Sequence, residues 1–435
     1  MILVVGTRVE GFSTSNTIVG KTYTPHVSRL VVVRHFMTSE ADDGDSPNAN
    51  DATKTAATTA TTAAAIGTAS VAVPPSDGKT KQAIETLMTE HDPILLFASR
   101  LLPPQKSKDA SALYAWCRRL DEICDSEENA ENYELVLEQL GTWQERFDAL
   151  WSAQNDDDDK NNGGDNDYSE DEYLMDLALK NCIEGYQESR SPSSPPGEGT
   201  ACYNRSLLTR QPFDDMIEGM KSDAVDGRRV RDMEELELYA YRVAGTVGLM
   251  LLPLLLSETN EKKSEDNNEA TLLAIEGARE PAISLGKAIQ LVNILRDATQ
   301  DAKLGRIYLP QDMLQQEGIN DENIIALGLD ESSSPSRVPE GYKRVVRRVS
   351  HRAHELLAEA EGGKYTLPSP LGPLFVQIIV ELYRDYLEEL KRREYDNLSS
   401  SSNGSGEDRV KISTLRKIQA SLRAVAKVFG ELLVS

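Results

Sequence analysis

From Thr80 onward the apolar residues recur at three- and four-residue spacing, and no stretch holds the strict alternation of a half-buried strand. That periodicity restricts the chain to an all-α architecture. It predicts helices over roughly 80–98, 105–127, 132–152, 171–188, 212–222, 233–256, 270–302, 341–361, 371–393 and 409–433. The intervening polar inserts, at 154–170, 189–199, 257–269, 330–340 and 398–406, read as lengthened loops inside one helical domain covering 81–435. Residues 1–80 differ in kind. The first 36 carry Arg8, Lys21, Arg29 and Arg34 against the single acid Glu10, and an Ala/Thr tract follows at 52–65. This is the composition of an organelle-targeting peptide followed by a disordered linker, and it cannot build a core.

Net charge sets further limits. At −24 the chain lacks the basic footprint of a nucleic-acid binder, so no such partner is expected. Much of the acid lies in local runs such as Asp156–Asp159, which belong to solvated loops. The cysteines at 117, 124, 182 and 202 form no Cys-x-x-Cys pair, which argues against a zinc site and for a reducing compartment. The longest apolar run, Val247–Leu256, is interrupted by Pro253 and falls short of the length of a spanning helix. It is expected to form a buried helix or the wall of an apolar cavity, with no transmembrane helix.

Two helices carry acid in a pattern that a solvated face does not explain. On Tyr114-Ala-Trp-Cys-Arg-Arg-Leu-Asp-Glu-Ile-Cys-Asp125, the residues Tyr114, Arg118, Asp121 and Asp125 share an arc of about 60°. On Gln290-Leu-Val-Asn-Ile-Leu-Arg-Asp-Ala-Thr-Gln-Asp301, Gln290, Asn293, Asp297 and Asp301 share about 80°. Like charges one turn apart repel, and a solvated face would more often place Lys or Arg at the next turn. Magnesium takes one or two carboxylates, keeps several waters and accepts substrate phosphate. Two Asp pairs in a helical bundle could therefore hold magnesium, or manganese in its place, with a diphosphate. Such ions offset the charge developing on a departing diphosphate, which leaves a carbocation for an apolar cavity with aromatic faces.

At these residues the chain resembles the phytoene synthase branch of the squalene/phytoene synthase family. Four segments match in order: Trp116-Cys-Arg-Arg-Leu-Asp-Glu-Ile-Cys-Asp125; Gln211-Pro-Phe-Asp-Asp-Met-Ile-Glu-Gly-Met220; Tyr239-Ala-Tyr-Arg-Val-Ala-Gly-Thr-Val-Gly248; and Asn293-Ile-Leu-Arg-Asp297-Ala-Thr-Gln-Asp301 continuing to Gly305-Arg-Ile-Tyr-Leu-Pro-Gln-Asp312. The resemblance covers His91 to Val434 and implies a single-domain isoprenoid-synthase helical bundle around a central apolar cavity. It implies that Asp121, Asp125, Asp297 and Asp301 bind magnesium–diphosphate, with Asn293 as a further metal ligand and Gln290 facing substrate. It makes Arg118, Tyr114, Tyr383 and Arg409 substrate contacts, and it sets Tyr239 near the reacting carbons. The implied reaction joins two geranylgeranyl diphosphates through a cyclopropyl diphosphate to phytoene, in a plastid. Peripheral contact with a membrane would arise through the apolar product. For Val243-Ala244-Gly245 and Gly248, a bend, a close prenyl chain and plain helix packing all stay open.

The chain departs from the family pattern at one place. Aligned without gaps, Asp92-Pro93-Ile94-Leu95 stands where the family carries Ser-Lys-Ser/Thr-Phe, so an acid replaces diphosphate donors. Two other readings follow: a squalene-type synthase using farnesyl diphosphate, and a catalytically silent relative acting as an organellar assembly factor, for which mitochondrial import would be expected.

Overall fold

The computed structural model describes residues 77–91, 100, 102–125, 132–152, 169–186, 206–257, 265–329, 338–367, 371–399, 410 and 412–434. Residues 1–76, the Asp92-Pro93-Ile94 departure, most of the polar inserts and Arg409 lie outside them. The first helix, α1 (Asp77–His91), begins within the last four residues of the segment assigned above to targeting and linker.

Four helices follow: α2 (Pro104–Asp125), α3 (Tyr133–Ser152), α4 (Glu170–Tyr186) and α5 (Gln211–Asp223). A short strand β1 (Arg229–Val230) leads into α6 (Met233–Ala240), a π-helical turn (Tyr241–Gly245) and α7 (Thr246–Leu256). The 39-residue α8 (Glu265–Lys303) precedes β2 (Ile307–Pro310), α9 (Gln311–Gln316) and α10 (Asp321–Leu329). The chain closes with α11 (Glu340–Gly362), a 3-10 turn (Lys364–Thr366), α12 (Leu371–Arg392) and α13 (Thr414–Val434).

Local chemistry accounts for these elements. On α11 the buried residues Tyr342, Val345, Val346, Val349, Ala353, Leu356, Leu357 and Ala360 recur every three or four positions, so one face meets the core. Asp232 caps α6 by accepting from Glu235 N at 2.8 Å, while Glu235 reaches back to Arg231 N at 2.9 Å, a variant of the capping box. The chain leaves α8 through a Schellman turn: Arg306 N bonds to Asp301 O at 2.8 Å and Gly305 N to Ala302 O at 2.9 Å. Gly305 occupies the left-handed position this turn requires, with φ of 70°.

The two largest apolar clusters among the described residues form around the long middle helices. One joins α2, α3, α4 and α5 to α7, with Trp116 in tilted and edge contact with Trp143, Phe147 and Phe213. The other joins α6, α8, β2, α11 and α12. Helix α7 packs on α2 and α5 on one side and on α8 on the other, so it lies between the two acidic helices.

Three features differ from the expectations. Helix Met233–Leu256 runs through Pro253 without a break and is long and apolar enough to cross a membrane, but 67% of its apolar window is buried inside the protein. Its Val-Ala-Gly segment forms the π turn, which periodicity cannot tell from ordinary helix. Strands β1 and β2 pair in parallel, and at two and four residues they are too short to leave a period-two signature.

The glycines serve close helix packing. A Cβ at Gly286 of α8 would stand 2.6 Å from Ala244 O and from the Gly245 backbone, and one at Gly248 would stand 3.0 Å from Ala282 O. Each glycine costs about 1 kcal/mol relative to alanine in a helix, and the close approach of α8 to the π turn explains why they are there.

Candidate active site

On α2, Trp116 anchors one face in the aromatic cluster and thereby fixes the rotation of the helix. Asp121 is wholly buried. The buried Arg118 donates Nη1 to Asp121 Oδ2 at 3.0 Å and Nε to Glu122 Oε1 at 3.0 Å. Burial alone would lower the guanidinium's proton affinity, but Asp121 and Glu122 outweigh it and raise it above the usual arginine range, so the charge stays. Tyr114, one turn earlier, is buried and adds to the same field. The neighbouring Arg119 turns elsewhere, to Asp176 at 2.8 Å and over the Trp143 ring at 4.6 Å, where it ties α2 to α4 and α3. Asp125 ends the described part of α2, and its side chain lies outside the described residues.

On α8 the acids sit in the last two turns, at the negative end of the helix dipole, where a carboxylate is disfavoured and a cation is welcome. Asp297 is grasped by Arg296, through Nε to Oδ1 at 2.8 Å and Nη2 to Oδ2 at 2.5 Å. Arg296 is itself buried and also donates Nη1 to Asn293 Oδ1 at 3.0 Å. Its guanidinium lies 5.9 Å from the Tyr386 ring centroid. Burial works against the Arg296 charge, and Asp297 more than restores it.

From α12, Tyr383 reaches this group. It is fully buried, and its hydroxyl proton is held well above the ordinary tyrosine range, first by burial, with Arg296, Tyr386 and Asp297 all within its field. Three buried polar atoms here have no hydrogen-bond partner among the described residues: Gln290 Oε1, Asn293 Nδ2 and Tyr383 Oη. Burying such an atom unpaired costs about 1–3 kcal/mol, so the cluster is built for something that supplies a donor to Gln290 and acceptors to Asn293 and Tyr383.

The segment after α12 is pinned to the back of α8. Glu394 and Tyr395 take left-handed conformations at φ of 55° and 62°. Asn397 then donates Nδ2 to Leu295 O at 2.8 Å and accepts from Tyr342 Oη at 3.0 Å. Thr299 Oγ1 donates to Asn397 O at 3.1 Å. Arg409 lies outside the described residues; Val410 donates its N–H to Arg296 O at 3.3 Å.

Tyr239 is held apart from both acidic groups. Its hydroxyl donates to buried Asp223 at 3.3 Å, and its ring stacks on Tyr308 at 5.4 Å and 20°. Tyr308 Oη donates to the other oxygen of Asp223 at 2.7 Å.

The structure thus gathers Asn293, Asp297 and Tyr383 around Arg296, with Asp301 and Gln290 on the same helix. It places Tyr114, Arg118 and Asp121 together on α2. Among the described residues, no three or more His, Cys, Asp or Glu side chains form a group able to hold a metal ion. Asn293 Oδ1 accepts from Arg296, and its Nδ2 is buried without a partner among the described residues. No described group of side chains therefore holds an ion by itself, and magnesium is an ion that takes one or two carboxylates and completes its shell with water and phosphate oxygens.

Sequence reasoning assigned no role to Arg296, Tyr386, Asp223 or Tyr308. A signal was available for two of them. Arg296 continues the apolar stripe Leu285, Ile289 and Val292, and Asp223 continues the stripe Phe213, Met216, Ile217 and Met220. A charge on such a stripe is a buried charge that needs a partner.

Comparison with known proteins agrees with this geometry. The family model described as squalene/phytoene synthase matches residues 88–416. Phytoene synthase 3, chloroplastic, of Zea mays is 30% identical over 340 residues, covering 77% of this chain and 66% of its own length. Phytoene synthase 1, chloroplastic, of Solanum lycopersicum is 32% identical over 300 residues, covering 69% of this chain and 58% of its own length. The match thus spans less than two thirds of either relative. Phytoene synthase 2, chloroplastic, of Solanum lycopersicum is 31% identical over 311 residues, covering 71% of this chain and 81% of its own length. A crystal structure of a dehydrosqualene synthase in complex with ligand superposes with a TM-score of 0.53 at 22% identity, covering 81% of this chain and 99% of that one. The squalene synthase HpnC from Alicyclobacillus acidocaldarius gives 0.52 at 18% identity, covering 74% and 97%. The fold is the all-α isoprenoid-synthase fold, and the chain belongs to the squalene/phytoene synthase family, on its phytoene synthase branch.

Proposed function

We propose that the protein joins two geranylgeranyl diphosphates head to head, through a cyclopropyl diphosphate, to give phytoene. The observation that carries this reading is the set of unpartnered buried atoms, Gln290 Oε1, Asn293 Nδ2 and Tyr383 Oη, beside Asp297. An anion rich in acceptor oxygens and carrying cations would satisfy all three, and a magnesium-bound diphosphate is such a ligand. Asp121, Asp297 and Asp301, with Asp125 by its place in the motif, would hold the magnesium, which supplies positive charge to the leaving diphosphate.

The chain's own groups then have distinct tasks. Asn293 and Tyr383 donate hydrogen bonds to diphosphate oxygens. Arg118 offsets their charge while holding Asp121 in place. Arg296 keeps Asp297 and Asn293 oriented and carries positive charge at the negative end of α8. Tyr239, beside the apolar residues of α6 and α7, offers its ring and oxygen to a carbocation.

Chloroplastic relatives support the plastid as the compartment, with residues 1–80 as the targeting segment, and nothing supports the mitochondrion. The test is to incubate the full chain with magnesium and, separately, geranylgeranyl and farnesyl diphosphate, and to identify the hydrocarbons. Phytoene from the C20 substrate is expected. A C30 product from farnesyl diphosphate alone would replace this reading with a squalene-type one, and no product from either would support the assembly-factor alternative.

A further inference from the structure

Asp223 closes α5 and is 5% exposed. Its carboxylate accepts from two phenols at once, Tyr308 at 2.7 Å and Tyr239 at 3.3 Å. Arg228 Nε stands 3.9 Å away, its guanidinium 5.9 Å from the Tyr239 ring centroid and bonded to Glu235 through Nη1 and Nη2 at 3.0 Å each. The small sheet assembles this group. Pairing of β1 with β2, extended by Ile307 N to Arg228 O at 3.0 Å, brings Arg228 and Tyr308 to the end of α5. Tyr308 lies in the stretch that continues the second acidic motif, whereas Asp223 and Arg228 lie outside all four matched segments.

An ionised carboxylate has no proton to give. Both phenol protons are therefore committed to Asp223, and the oxygen lone pairs point away from it. A hydroxyl without that partner could rotate and turn the positive end of its O–H dipole toward the reacting carbons, where it would oppose a carbocation.

We propose that Asp223 is a positioning residue: by holding the Tyr239 proton, it presents the phenol oxygen to the reacting carbons as an electron-rich acceptor, with the stacked Tyr308 sharing the carboxylate. This rests on the phytoene synthase reading and on the resemblance that sets Tyr239 near those carbons. It predicts an effect on the chemical step and not on diphosphate binding, because preorganised dipoles act on charge that develops in the transition state.

The test is a double-mutant cycle in the full chain. Asp223→Asn keeps size but offers one acceptor oxygen and an NH2, so one phenol must turn its proton elsewhere. Expected is a fall in kcat of about 10- to 100-fold with KM nearly unchanged. Tyr239→Phe should fall by a similar factor, and the double variant should be no worse than either single one. Losses that multiply would show that Asp223 acts independently of Tyr239 and overturn the proposal. Tyr308→Phe keeps the ring stack and should lose less than Tyr239→Phe. An equal loss overturns the proposal even if Asp223→Asn fails to fold. If the unmodified chain makes no product from either prenyl diphosphate, it is the functional reading that fails. The urea midpoints of the same cycle then judge the placement: a non-additive pattern supports the shared hydrogen bond, and additive shifts sink it.

Discussion

The two acidic helices hold their acids in different ways. On α2, Asp121 is closed off from solvent, and Arg118 divides itself between Asp121 and Glu122. On α8, the Asp297 side chain keeps 13% of its surface, and Arg296 spends both of its carboxylate bonds on Asp297 alone. The unpaired atoms differ as well. Those of α2 belong to Arg119, on the face turned to Trp143, whereas α8 leaves Gln290 Oε1 and Asn293 Nδ2 unpaired and α12 leaves Tyr383 Oη and Asp385 Oδ2 among the described residues. Among the described residues, Arg118 and Asp121 of the first motif pair with each other, whereas Gln290 and Asn293 of the second each leave a buried atom unpaired. A buried ion pair costs desolvation that its attraction barely repays, so neither arginine is explained by stability alone. Both orient carboxylates where like charges and, on α8, the helix dipole oppose them.

The largest effect that can break this comparison is on turnover. Asp297→Asn and Asp121→Asn should each lower kcat about 1,000-fold if both acids bear on the leaving diphosphate. Steady-state rates with geranylgeranyl diphosphate check this, and a variant with ordinary rates would remove its helix from the chemistry.

Stability should separate the two variants. Asp297→Asn leaves buried Arg296 without its carboxylate, a change that costs about 3 kcal/mol. Asp121→Asn leaves Arg118 with Glu122 and should cost about 1 kcal/mol. Urea unfolding measures both. Equal losses would mean that Glu122 does not share Arg118 in solution.

Acid should also loosen the packing of α11 against α12 and α13. Burial alone would raise the proton affinity of Glu361 on α11, but Arg384 at 2.6 Å, Lys427 and Gln377 at 2.7 Å bring its pKa down to about 2. A depressed carboxylate contributes stability that is present above its ordinary value near 4.5 and lost as pH falls toward 2. Allowing for the half-exposed Lys427, the contribution is about 2 kcal/mol. Glu361→Gln should therefore flatten the acid limb of a melting-temperature profile between those values. An unchanged limb would place the acid sensitivity elsewhere.

The contrast between the helices also shows which parts of the molecule the chain reveals. Helix positions and the faces bearing Asp121 and Asp297 follow from spacing, because long amphipathic helices repeat their signal over many turns. The π turn at Tyr241–Gly245 leaves no such signal, since one extra residue in a helix hides within an apolar run. Strand β2 lies inside a motif that was legible as letters, while its partner β1 is two residues long and pairs with residues 78 and 80 positions away. The Asp223 cluster depends on that pairing, so no local pattern could bring Tyr308 to Tyr239. Arg296 sits beside Asp297 in sequence, but its clamp on Asn293 and its contact with Tyr386 of α12 need the folded chain.

Tyr383 gives the smallest effect and the sharpest test of the claim that α8 awaits a ligand. Its hydroxyl is buried with no partner among the described residues, so in the free protein it is a cost of about 1 kcal/mol. Tyr383→Phe removes that cost and keeps the ring against Tyr386, at 6.0 Å between centroids. The variant should therefore unfold at slightly higher urea than the parent. With substrate the sign reverses, because a hydrogen bond to a charged oxygen contributes about 1.5–3 kcal/mol, and the apparent KM should rise roughly 10-fold or more. A hydroxyl that serves only packing would shift both measurements in one direction or neither. If Tyr383→Phe loses stability and leaves KM alone, the unpaired atoms around Asp297 are not waiting for diphosphate, and the two acidic helices differ only in how tightly each is packed.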